Sequence, residues 1–168
     1  MISPAHAQAM ARYNRWQNWS IYGAADTLTD EQRRESRGAF FGSIHGTLNH
    51  ILWGDRTWMS RLAGWEPPTV RSGRESPGYY PDWEQLKRER QTSDEALIAW
   101  ADGLEPAALD GDFSYFSPAV NRQITKPRWL LVTHLFNHQT HHRGQVHCLL
   151  TQLGCKPEDT DLPFGPEA

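Results

Sequence analysis

Apolar positions recur at helical spacing in four long stretches of this chain, and turn residues separate them. Ser3 followed by Pro4 is a start signal, a capping hydroxyl with proline at the first helical position. The helix it opens is predicted to run to about Ala25, with Met10, Tyr13, Trp16, Ile21 and Ala24 available for burial. Thr29-Asp30-Glu31-Gln32 is a capping-box pattern and predicts a short helix. A second long helix is predicted from about Gly38 to Leu62, stopped by Gly64. Phe40, Phe41, Ile44, Leu48, Ile51, Leu52, Trp58, Met59 and Leu62 share one broad face of it. The Pro-, Gly- and Ser-rich stretch from Trp65 to Pro81 reads as a long connection. Asp82 caps a third helix that reaches about Gly103, with Leu86, Leu97, Trp100 and Leu104 at helical spacing. Residues 105–126 read as irregular or as a short hairpin, in which Phe113, Tyr115 and Ile124 cover something apolar. The fourth helix is predicted to start near Pro127, capped by Thr125, and to end at Gly154. The tail, with Pro157, Pro163 and Pro166, reads as extended. Four amphipathic helices with almost no strand signal predict an all-α four-helix bundle, and the long connections argue against simple up-down-up-down wiring.

The fourth helix carries the densest chemistry. Four of the chain's eight histidines, His134, His138, His141 and His142, fall within nine residues of it. With about 100° per residue and His134 at zero, His138 falls near 40°, His142 near 80° and His141 near −20°. On the same wheel Leu131 and Leu149 fall near 60°, Leu135 near 100°, Val146 near 120°, and Val132 and Leu150 near 160°. His138 and His142 therefore lie inside the apolar arc and one turn apart, while His134 and His141 lie at its margin. His147 points away, near 220°. Two imidazoles on a buried face need partners for their ring nitrogens, and one metal ion supplies them for both. Bonding to backbone carbonyls is the plainer alternative.

Composition narrows the function classes. The 168 residues are sufficient for one domain with a proper core, taken here as residues 1–168. Net charge is −3 and no basic block stands out, which argues against nucleic acid as partner. No apolar run approaches membrane-spanning length, and the N-terminus lacks a charged-then-apolar signal, so a cytoplasmic protein is expected. Cys148 and Cys155 make no disulfide framework, and Cys148 falls outside the inward arc of the fourth helix.

A catalytic metal usually takes three protein ligands and keeps an open position. His45 and His50 of the second helix flank its apolar face on opposite sides, and periodicity does not choose between them. Asp55 sits in the middle of that arc, either as a carboxylate bonded to an Arg or indole of another helix or as support for the site.

Asn49-His50-Ile51-Leu52-Trp53-Gly54-Asp55-Arg56-Thr57-Trp58, together with Asn137-His138-Gln139-Thr140-His141-His142-Arg143-Gly144-Gln145, resembles the DinB family of the DinB/YfiT-like superfamily. Tyr13-Asn14-Arg15-Trp16-Gln17-Asn18 resembles that family's first helix, and Thr160-Asp161-Leu162-Pro163 its tail. The resemblance implies an up-down-down-up bundle, often dimeric, with a divalent metal, nickel or zinc, on three histidines. Carried over by motif, these are His50, His138 and His142. It also implies a small-molecule substrate and, in some relatives, a low-molecular-weight thiol such as bacillithiol or mycothiol. Two functions follow. One is a metal-dependent enzyme that activates a thiol or water for transfer or hydrolysis, with Asp55 and Asn137 as supports and His141 and Arg143 as contacts for an anionic substrate. The other is a non-catalytic stress or structural protein in which the metal ties two helices together. A metal-free dimer module, with its histidines bonded to carbonyls, is a third.

Overall fold

The architecture comes from a computed structural model that describes residues 1–165. Four long α-helices and one short one account for most of them: α1 (Pro4–Asp26), α2 (Asp30–Arg34), α3 (Ile44–Leu62), α4 (Trp83–Asp102) and α5 (Arg128–Gln152). A two-stranded antiparallel hairpin, β1 (Asp112–Ser117) and β2 (Arg122–Pro127), joins α4 to α5. Short 3-10 turns lie at Ser76–Gly78, Pro106–Leu109 and Leu162–Phe164. No described helix is long and apolar enough to cross a membrane.

The start signals work as the side-chain chemistry requires. The Ser3 hydroxyl accepts from His6 N, Thr29 and Gln32 form the reciprocal capping box of α2, and Asp82 accepts from Gln85 N. Two boundaries differ from expectation. α3 begins at Ile44 rather than near Gly38, because Gly38 (φ 77°) and Gly42 (φ 79°) adopt left-handed conformations around a tight Ala39–Gly42 bridge. Ser43 then caps α3 through Gly46 N at 3.0 Å. Phe40 consequently stands 82% exposed instead of packing on the helix face. At α5, Thr125 is not the cap. It lies in β2, bonded to Ser114 at 2.7 Å, and the helix follows Pro127 directly.

The hydrophobic core falls into two clusters. One joins Ile21 and Ala25 of α1, Ile44, Leu48, Ile51 and Leu52 of α3, Leu86 of α4, and Val146, Leu149 and Leu150 of α5. The other joins Ala7 and Ala11, Met59, Leu97 and Ala101, and Val132, Leu135 and Phe136. Between its contributions to the two clusters, each long helix places buried polar side chains. These are Asn14 and Asn18, Asp55, Arg90 and Asp94, and Gln139 and Arg143. Arg90 pairs with Asp55 at 2.5 Å and Asp94 at 2.9 Å, Asp94 accepts from Asn14 and Asn18, and Arg143 donates to Asn14. Buried charges persist only when paired in this way. Up to Asn18 the inward face of α1 is thus small and polar, Ile21 and Tyr22 are buried beyond it, and Met10, Tyr13, Trp16 and Ala24 are only half-buried. The tail runs along that helix: Tyr13 donates to Thr160 O, Trp16 to Glu158 and Gln17 to Asp159 O. It is extended as expected except for the turn at Leu162–Phe164, and Pro166 lies outside the described residues.

Candidate metal centre

α3 packs along α5, and their contact brings three imidazoles together. His50 lies on α3, while His138 and His142 lie one turn apart on α5. One ring nitrogen from each falls within 4.8 Å of the other two. His50 Nε2 and His138 Nε2 are 3.0 Å apart, and the His142 ring centroid lies 4.7 Å and 4.6 Å from those of His50 and His138.

Tautomers follow from what the other ring nitrogens touch. Ser76 Oγ gives its hydrogen to Gly73 O at 2.7 Å, so toward His50 Nδ1, 2.8 Å away, it can only accept. His50 therefore carries its hydrogen on Nδ1 and turns a lone pair on Nε2 inward. His142 Nδ1 lies 2.8 Å from Gln145 Oε1, an acceptor, with the same consequence. The Gln145 amide nitrogen in turn lies 3.3 Å from His141 Nε2. His138 is held by shape. Its ring packs on the backbone at Gly54, where an added Cβ would fall 2.6 Å from Cε1, and its Nδ1 is buried without a partner. Phe41 stacks on His50 at 3.6 Å and Trp53 flanks it at 5.6 Å, anchored through Val70 O.

Burial and mutual repulsion keep these rings neutral. The pKa of His50 is pushed down to about 3 by burial and then by His138 and His142. That of His138 is also pushed to about 3, by burial and then by His142, and that of His142 is lowered by burial. The donor set fits a metal ion: neutral rings, inward lone pairs and no competing proton on two of them. An ion about 2.0–2.1 Å from each nitrogen needs only a small spreading of the His50–His138 pair.

The chain belongs to the DinB family. It matches that family over residues 1–168. Among solved structures its fold is similar to that of YfiT from Bacillus subtilis, described as "a probable metal-dependent hydrolase with an unusual four-helix bundle topology". The TM-score is 0.65 at 14% identity, covering 93% of this chain and 92% of that one. No curated protein sequence matches.

Within this DinB fold the remaining expectations sort cleanly. His45, the rival to His50, points elsewhere: its Nε2 lies 3.1 Å from Tyr80 O, and burial lowers its pKa to about 4. Asp55 is the carboxylate bonded to an arginine, Arg90, with Gln139 also beside it. Burial raises its pKa against the pull of Arg90. Arg143 is no contact for a substrate, because it is buried in the polar layer under Tyr13, and its pKa is pushed down to about 10 by that burial. His141, Asn137 and His134 are exposed, and His134 packs edge-on to Trp58. Gly54, Ser76 and Gln145 serve the site without being among the residues expected there from the sequence. A mid-helix glycine one turn from His50 was a readable sign of close approach, as was Gln145 one turn from His142. Ser76, 26 residues from His50 in an irregular connection, left no periodic signal.

Proposed function

We propose that His50, His138 and His142 hold one divalent transition metal, nickel or zinc, through their Nε2 atoms, and that the chain is a metal-dependent enzyme acting on a small molecule. The convergence of three neutral imidazoles carries this reading. No carboxylate or thiolate joins the group among the described residues, which favours an open coordination position over a closed structural site. When bound, such an ion lowers the pKa of water or a thiol toward neutrality and polarises the substrate. The chain's own residues do the positioning. Ser76 and Gln145 fix two tautomers, Gly54 admits the third ring, and Phe41 and Trp53 keep bulk water from His50.

The chain is taken to work as one domain and as a homodimer in the cytoplasm, on a small substrate with or without a low-molecular-weight thiol, and with neither nucleic acid nor membrane as partner. Up-down-down-up wiring belongs to the same proposal. Pairs in support are Arg12–Asp102 with Asp26–Lys87 between α1 and α4, His50–His138 with Trp58–His134 between α3 and α5, and Asp55–Arg90 between α3 and α4.

The experiment is metal analysis of protein purified without a histidine tag. It is followed by ester-hydrolysis and thiol-transfer assays before chelation, after it, and after readdition of nickel or zinc. One ion per chain with activity that tracks its removal and return is expected. One tightly held ion with no turnover in either assay would favour the structural alternative.

A further inference from the structure

On the side of the three histidines nearest the end of α3, a half-buried arginine packs against two rings. The Arg61 guanidinium carbon lies 4.8 Å from the centroid of Trp58 and 4.4 Å from that of Tyr115, which the hairpin supplies from β1. Those two rings meet edge to face at 5.3 Å. With aromatic surfaces against it, the guanidinium keeps its N–H edge for hydrogen bonding. Among the described residues no carboxylate meets that edge, and burial without one holds the Arg61 pKa below its ordinary value. Arg56, on the same helix, is different: it is bonded to Glu89 at 2.5 Å, Tyr80 at 2.6 Å and Ser93 at 3.1 Å.

Arg61 is connected to the candidate metal centre. Trp58 meets His134 at 4.9 Å, and His134 meets His138 at 5.8 Å, so a continuous aromatic track leads from the guanidinium to the converging nitrogens. The electrostatic surroundings of this track are one-sided. The charged groups that act on His50, His134, His138 and His142 are other imidazoles and Arg61, with no carboxylate among them. A divalent ion on three neutral ligands would keep its charge and make the field more positive still.

We propose that Arg61 is a specificity-determining residue, which binds the carboxylate end of an elongated substrate whose other end reaches the three-histidine centre. The planar fork of the guanidinium, braced against two rings, suits a planar carboxylate in a bidentate arrangement. His134 and Trp58 line the segment between the two ends. This inference rests on the metal-enzyme reading above.

The test uses the full-length protein loaded with one equivalent of zinc and two series of linear alkyl hydroxamates of graded length. The hydroxamate seeks the ion. The far end is a carboxylate in one series and a methyl group in the other, and affinities are measured by calorimetry. At the matching length the carboxylate compound should bind about tenfold or more tightly than its methyl counterpart, the worth of a charge-assisted pair. Arg61→Gln should abolish that preference while leaving the methyl compound's affinity unchanged, and Arg61→Lys should retain part of it. Circular dichroism and zinc content confirm that each variant is folded and loaded. Equal affinity of the two series at every length, or a preference that survives Arg61→Gln, would overturn the role of Arg61 and leave the metal reading standing. If neither series binds the zinc-loaded protein, the open coordination position of the metal-enzyme reading fails and this inference falls with it.

Discussion

His138 is held by contact rather than by a hydrogen bond, which makes its position sensitive to one methyl group. Gly54 lies where an added Cβ would come 2.6 Å from His138 Cε1 and 3.1 Å from Nδ1. On an ordinary helix, Gly→Ala would stabilise by about 1 kcal/mol. Here Gly54→Ala should leave the helix content intact yet weaken metal binding by at least about tenfold, because the ring must turn away from His50 and His142. Metal titration beside circular dichroism checks this, and unchanged affinity would show that the ring has room to adjust. At this scale the sequence was legible where a helix face decides. The wheel separates buried His142 from exposed His141. It could not choose between His45 and His50, since that depends on which neighbour each meets: Tyr80 O for one, His138 for the other.

Caps and breakers decide where elements begin. Ser3, Thr29 and Asp82 act where their side chains predict. α3 starts later than its apolar pattern suggests, because Phe40 and Phe41 continue the periodicity through a turn made by two left-handed glycines. That late start is what frees Phe41 to stack on His50. Ser43→Ala should cost about 1 kcal/mol in urea denaturation by removing the α3 cap. No loss at all would mean that the Gly38–Gly42 turn alone sets the boundary. The hairpin was half-legible. Alternating Phe113, Tyr115 and Ile124 mark it, but strand and helix periods compete over so short a stretch, and Thr125 has the hydroxyl of a helix cap although it pairs with Ser114 in the hairpin.

At the scale of the whole molecule, four amphipathic helices gave the bundle, while the polar layer through its middle was hidden. Asn14 and Asn18 meet Asp94, Arg143 meets Asn14 and Asp55 meets Arg90 across four helices, so only the Arg90–Asp94 pair, one turn apart on α4, is displayed by a single helix. Metal-free protein should also lose stability in acid. His45 has a folded pKa of about 4, and His50 and His138 of about 3, each below the ordinary histidine value near 6.5. Between those limits the unfolded chain binds more protons than the folded one. Stability from these groups is thus complete above about pH 6.5 and is lost as pH falls toward about 3. Thermal midpoints of the chelated protein across that window should fall with pH, and a flat profile would contradict the burial of these rings. The central claim, that three Nε2 atoms share one ion, is tested most directly by metal content per chain in tag-free wild type, His142→Ala and His141→Ala, each shown to be folded. One ion in the wild type, near loss in His142→Ala and retention in His141→Ala is the predicted result. An empty His141→Ala beside a loaded His142→Ala would contradict the account.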